Sequence, residues 1–228
     1  MGVRLLVRST LTSPADVVTR LERLGGKTPE WERLGSKNPQ SSKWRVQCAF
    51  MLPRAAGRRE MFVLQTTELP HAQLIVSHES VPAAGTGDTG GSGVRVLRSG
   101  PDDGPALDLA QTHTQRLKIQ IEGSVLLCGD FIVRVGQLTL NTTLSGTAME
   151  VEYLPCAVAL AHAAPLKAFA DLLLPHEERD FCSSETECFG NAVGLPARFG
   201  LEHSTLLLVG LMRTKFGTQE VPISKPIK

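Results

Sequence analysis

The stretch CGDFIVRVGQLTLNTTLSGTAMEVEYLPC, Cys128 to Cys156, restricts the possible folds more than any other part of the chain. Apolar and polar residues alternate on both sides of a turn-forming NTTLSG, which is the pattern of two half-buried antiparallel strands. Phe131, Val133 and Val135 are odd-numbered, whereas Leu138 and Leu140 are even-numbered. The apolar set therefore changes parity at Gly136. A regular strand alternates strictly, so a glycine bulge is expected there, with a bend that lets the sheet curl. On the return strand Met149, Val151 and Tyr153 form the apolar face, with the stronger claim on the interior. Glu150 and Glu152 point the other way.

The flanking sequence repeats the strand signal. Val3 to Val7 reads as a strand. WRVQCAFML places Trp44, Val46, Cys48 and Phe50 on one face and Arg45 and Gln47 on the other. EMFVLQTT and HAQLIVSHES are two more strands, and RLKIQIEGSVLLC leads into the hairpin. Helices are expected at TSPADVVTRLERLGG, ALDLAQTHTQ, AVALAHAAPLKAFADLLL and LEHSTLLLVGLMRTK. The first has Ser13 to cap it, Pro14 at its first position, Asp16 at its positive end and a Val17, Val18, Leu21, Leu24 stripe. Pro165 marks a kink or a new start in the third. Hairpin-linked strands without βαβ alternation imply an α+β fold. We expect one domain, 1–228, in which a curled antiparallel sheet closes into a β-barrel with flanking helices. Residues 82–105, rich in Gly, Pro, Ser and Asp, read as a flexible insertion around a short VRVLR.

Composition narrows the function classes. With 42% hydrophobic residues the chain can bury a sizeable core. Its formal charge of +1 gives no long-range field for nucleic acid or anionic lipid. At 5% aromatic residues a base-stacking platform is disfavoured. No apolar run approaches the roughly 20 residues of a membrane helix, so a soluble intracellular protein is expected. Five cysteines in 228 residues suit free thiols in a reducing compartment. Cys128 and Cys156 are expected to be small buried hydrophobes.

Among the candidate sites, Gly85 to Gly90 spells GxGxxG, but no helix follows to receive a pyrophosphate, so a loop is the better reading. Cys182 and Cys188, with His176 and Glu178, are spaced too widely for a standard zinc site. No metal or other cofactor is expected. The sharpest catalytic candidate is the pair Glu150 and Glu152. Two carboxylates on one strand face can hold a divalent cation for phosphoryl chemistry, as in a triphosphate tunnel hydrolase. Burying them unpaired would cost several kcal/mol each. Solvated, outward-facing glutamates are therefore expected, and their joint replacement by alanine should leave folding nearly intact. Their direction discriminates: inward with convergent basic groups favours the enzyme, outward favours a scaffold.

The hairpin also resembles the signature of the Mediator of RNA polymerase II transcription subunit 20 family. Asp130, Phe131, Val133, Arg134, Val135, Gly136, Glu150, Val151, Glu152, Tyr153, Pro155 and Cys156 carry the resemblance, with support from the MGV start, REMFVLQTTELP and the FGN at Phe189 to Asn191. It implies a non-enzymatic barrel subunit of the Mediator head module in the nucleus. The implied partners are the related barrel subunit 18 and other head-module subunits. The implied role is to relay regulator signals to RNA polymerase II, with no membrane and no sequence-specific nucleic acid bound directly.

Overall fold

The computed structural model describes residues 2–30, 42–55, 59–80, 92–100, 109–158, 163–183 and 195–216. Among these residues nine strands form one antiparallel sheet: β1 (Val3–Ser9), β2 (Lys43–Pro53), β3 (Met61–Thr66), β4 (Leu69–Ser80), β5 (Ser92–Ser99), β6 (His113–Cys128), β7 (Phe131–Leu140), β8 (Thr143–Tyr153) and β9 (Phe181–Cys182). Their order is β5-β4-β3-β2-β6-β7-β8-β1-β9. Among the described residues four α-helices accompany it: α1 (Pro14–Arg23), α2 (Leu109–Thr112), α3 (Ala163–Leu173) and α4 (Leu201–Phe216).

The α+β class is as expected, but the sheet does not close into a barrel. Its edges, β5 and β9, are not hydrogen-bonded to each other. In a flat sheet eight inter-strand steps would hold them about 38 Å apart. Here Val94 of β5 and Phe181 of β9 line the same small cleft, together with Leu206, Val209 and Arg213 of α4. The sheet therefore curls around α4, and helix side chains fill the seam that hydrogen bonds would span in a barrel. Burial of almost every α4 residue from His203 to Met212 follows from that position.

α1 begins as its sequence dictates. Ser13 and Asp16 form a reciprocal capping box, with Pro14 in the first turn. Val17 and Leu21 are fully buried, whereas Leu24, expected in the same stripe, is 46% exposed because the helix has ended. α1 packs on β6 and β7, and α3 on β1 and β8. Pro165 lies in the first described turn of α3, and residues 159–162 before it lie outside the described residues. The segment expected to be helical from Ala106 is helical over Leu109–Thr112 and ends there because β6 begins at His113, with residues 106–108 outside the described residues. Within the expected insertion, Ser92–Ser99 pairs with β4 as β5, and residues 82–91 and 101–105 lie outside the described residues.

Two expectations about the hairpin are corrected. The register runs unbroken through Gly136, and the irregularity falls at Leu138/Thr139 instead. Parity changes without a bulge because both faces of this part of the sheet are covered. Val133 and Val135 face the outer helices, and Leu138 faces inward. Gly136 serves close approach: it sits opposite Gly123, and a Cβ on it would lie 2.7 Å from the Glu122 carbonyl oxygen. The apolar face of β8 also lies outside, not inside. Phe131 stacks on Phe169 of α3 at 4.0 Å and contacts Tyr153 at 5.1 Å.

Candidate functional site

The inner face of β1, β7 and β8 carries the even-numbered residues, among them Arg4, Arg134, Glu150 and Glu152. Register sets Arg4 opposite Glu152 and Arg134 opposite Glu150. All four are 2–3% exposed. The outward, solvated orientation expected of Glu150 and Glu152 is therefore wrong. The cost that argued against burial applies to unpaired carboxylates, and these are paired.

A third carboxylate completes the cluster. Glu68, in the turn between β3 and β4, reaches across the curled sheet and accepts a two-pronged bond from Arg4, Nη1 to Oε2 and Nη2 to Oε1, both at 2.9 Å. Arg134 Nη2 donates to Glu68 Oε1 at 2.5 Å. Glu150 Oε1 accepts from Nη1 of both arginines, at 3.0 and 3.1 Å. Glu152 Oε2 lies 3.0 Å from Arg4 Nη2 and 2.9 Å from Arg134 Nη1. Its Oε1 accepts from the Gly2 amide at 2.7 Å. From α4, the Ser204 hydroxyl accepts from Arg4 at 3.1 Å.

Three carboxylates surround two guanidiniums. With every group ionised the cluster holds one negative charge too many, in a place where isolated charge is costly. The proton affinities reflect this. Burial would raise Glu68, yet Arg4 and Arg134 hold it down at about 2. Burial opposes Glu152 too, but the same two arginines and the Gly2 amide keep it below its ordinary value. Glu150 goes the other way. Burial pushes it up, the arginines pull it down, and the repulsion of Glu68 and Glu152 leaves it raised. Burial would lower the Arg4 value, but the three glutamates hold it well above its ordinary one.

The carboxylates thus point inward toward basic groups, the orientation first associated with an enzyme. The arrangement does not leave them available for chemistry. Both guanidiniums that could hold a phosphate are bonded to the chain's own carboxylates, and Ser204 of α4 adds a further bond to Arg4. Among the described residues no three His, Cys, Asp or Glu side chains are grouped to hold a metal ion.

The other singled-out residues lie elsewhere. Phe131, Val133, Val135, Val151 and Tyr153 pack beneath α1 and α3. Asp130 sits in the β6–β7 turn, where its carbonyl accepts from the Leu154 amide, and Pro155 follows the end of β8. Cys48, Cys128 and Cys156 are buried, and burial pushes Cys48 up to about 12. Cys182 is half-buried in β9, and Cys188 and Gly85 to Gly90 lie outside the described residues. Sequence reasoning missed Arg4 and Glu68. The available signal was a basic residue of matching parity on each strand beside Glu150 and Glu152, Arg4 in VRLLVRS and Arg134 in FIVRV.

Comparison with known proteins places the chain in a family. A segment of 110 residues is 24% identical to Mediator of RNA polymerase II transcription subunit 20 of Aedes aegypti, covering 47% of this chain and 46% of that protein. Another of 73 residues is 32% identical to the subunit 20 of Anopheles gambiae, covering 31% and 34%. The chain thus spans less than half the length of either relative. Solved structures with a partly similar course include a putative adenylate cyclase from Vibrio parahaemolyticus, at 7% identity and TM-score 0.41 over 82% of this chain and 97% of that one. The Schizosaccharomyces pombe Mediator head module gives 12%, 0.34, 74% and 87%. Scores this low do not separate the two on function. A family model matches more directly: residues 33–189, more than half of the chain, match the TATA-binding related factor (TRF) of subunit 20 of Mediator complex, and the chain belongs to that family.

Proposed function

We propose that the chain is a non-enzymatic scaffold subunit of the Mediator head module, acting in the nucleus. It holds neighbouring subunits in register, the related subunit 18 foremost, and so helps relay regulator signals to RNA polymerase II. The observation that carries this reading is the buried cluster. In a chain of this family, the residues best suited to catalysis are bonded to one another and covered by α4. They stabilise shape and present nothing to a substrate. The test is affinity purification of the tagged chain from nuclear extract with identification of its companions. Recovery of head-module subunits in constant proportion is expected. Their absence would overturn the proposal.

The inward direction of Glu150 and Glu152 keeps a second reading in view, a metal-dependent triphosphate hydrolase. It requires α4 to leave and the arginines to exchange three carboxylates for a phosphate chain. Purified protein given magnesium or manganese and a nucleoside triphosphate is expected to release no phosphate. Release that is lost in Glu152→Gln would establish the enzyme instead.

A further inference from the structure

The charge cluster is one cation short, and one of its donors is uncharged. Arg4 of β1 and Arg134 of β7 face Glu68 of the β3–β4 turn and Glu150 and Glu152 of β8. From α4 comes the neutral Ser204 hydroxyl. The Gly2 nitrogen donates to Glu152 Oε1 at 2.7 Å, inside the protein. As a peptide amide it brings one hydrogen and no charge. As an α-ammonium it would bring the missing positive charge, on an atom already in place beside a carboxylate.

Position 2 is built for glycine. Gly2 is buried, and a Cβ on it would lie 2.0 Å from the Tyr153 carbonyl oxygen. The next residue is pinned, because the Val3 amide donates to the Cys156 carbonyl at 2.8 Å. The Gly2 nitrogen is thus held against Glu152 by the backbone as well as by the carboxylate. Gly2 follows a methionine, and aminopeptidases remove an initiator methionine when glycine comes next. Myristoylation of the freed glycine needs Ser or Thr at the position held by Leu6, so that acyl chain is not added.

We propose that Met1 is removed as the chain is made, and that the freed α-ammonium of Gly2 is the third cation of the buried cluster. Water adds across the Met1–Gly2 peptide bond. The C–N bond breaks, methionine leaves with a carboxylate, and the Gly2 nitrogen becomes an ammonium. Removal precedes folding, because the folded chain buries Gly2. Three carboxylates then face three cations. While Gly2 keeps its amide the surplus negative charge remains, and Glu150→Gln relieves it; that substitution is better tolerated in the chain with the amide than in the processed one. An α-amine ordinarily titrates near about 8, and Glu152 favours its charged form. Its contribution is therefore whole below about pH 8 and is lost as pH rises through the folded value.

The test compares two forms of the full-length chain. One is expressed from its own Met1 codon in cells that contain a methionine aminopeptidase. The other carries a peptide tag ahead of Met1, which keeps the Gly2 amide. The intact mass of the first form is expected to lack one methionine and to carry no acyl group. An amine-acylating reagent, read by mass spectrometry of the N-terminal peptide, should spare its α-amine in the folded chain and label it in urea. The first form should melt about 2–8 °C above the tagged one at pH 6 to 7, since an ionised donor roughly doubles the strength of a hydrogen bond. The gap should close as pH rises toward about 10, and Glu152→Gln in both forms should abolish it. Retained Met1, a segment ahead of it or an acylated amine would overturn the proposal. So would an α-amine labelled equally in folded and unfolded chain, equal melting at every pH, or a gap that survives Glu152→Gln. If Glu152→Gln does not fold, the labelling and the pH profile decide. The scaffold reading stands or falls separately, on the subunits recovered from nuclear extract.

Discussion

Replacing Glu150 by glutamine should barely change stability, although Glu150 is almost fully buried and both arginines bond to it. The expectation comes from counting charge. Glu68, Glu150 and Glu152 face Arg4 and Arg134, and Glu150 is the carboxylate whose proton affinity is raised, by burial and by its two acidic neighbours. Glutamine keeps a carbonyl oxygen for both guanidiniums and removes the surplus negative charge. The variant should lie within about 1 kcal/mol of wild type at pH 7, or above it. Arg134→Met is the counterpart. It leaves three carboxylates around one guanidinium, and losing one partner of a buried pair costs about 3–5 kcal/mol. For a chain of this size that is roughly 6–20 °C in melting temperature. Urea unfolding followed by the fluorescence of buried Trp44 measures both. The pH dependence adds a signed check. A carboxylate with a raised folded value contributes stability below its unfolded value of 4.5 and loses it as pH rises through the folded value. The advantage of Glu150→Gln over wild type should therefore grow from pH 4 to pH 8. Destabilisation as large as that of Arg134→Met, or an advantage that shrinks with pH, would refute the charge count.

Acid should unfold the protein by the opposite route. Glu68 and Glu152 have lowered values, so their contribution is present above 4.5 and is lost as pH falls toward 2. For Glu68 the shift corresponds to about 3 kcal/mol, and an acid titration by circular dichroism should show the loss in that window. Gly136→Ala should cost roughly 1–3 kcal/mol, because the added carbon meets the Glu122 backbone, which cannot swing aside, as well as the Ile121 side chain; chemical denaturation reads it directly. Ser13→Ala should cost about 1 kcal/mol by removing the cap of α1, visible as a small drop in melting temperature. Glu150→Ala with Glu152→Ala, harmless if both side chains were solvated, should now lower stability by several kcal/mol, since it strips two partners from buried arginines.

Local signals in the sequence translated well. Ser13, Pro14 and Asp16 act where their chemistry directs them, and Trp44, Val46, Cys48 and Phe50 share one buried face as alternation requires. What failed was the assumption that one face of a strand is wet. The string MEVEY looks the same whether its glutamates meet water or guanidiniums. The partners that decide are Arg4, 146 residues from Glu150, and Glu68, 66 from Arg134. Their meeting depends on the curl of the whole sheet, which periodicity does not encode. Gly136 misled for the same reason. With both faces covered, a parity change needs no extra residue, and the glycine's purpose is the crossing with Gly123.

Because α4 follows all nine strands along the chain, synthesis delivers the seal last. Until it arrives, β5 and β9 present bare backbone edges, and Arg4 lacks the Ser204 hydroxyl. A chain ending before Leu201 is therefore expected to present an open trough with a charged floor. Such a trough is prone to pairing with another strand, and α4 ends that exposure.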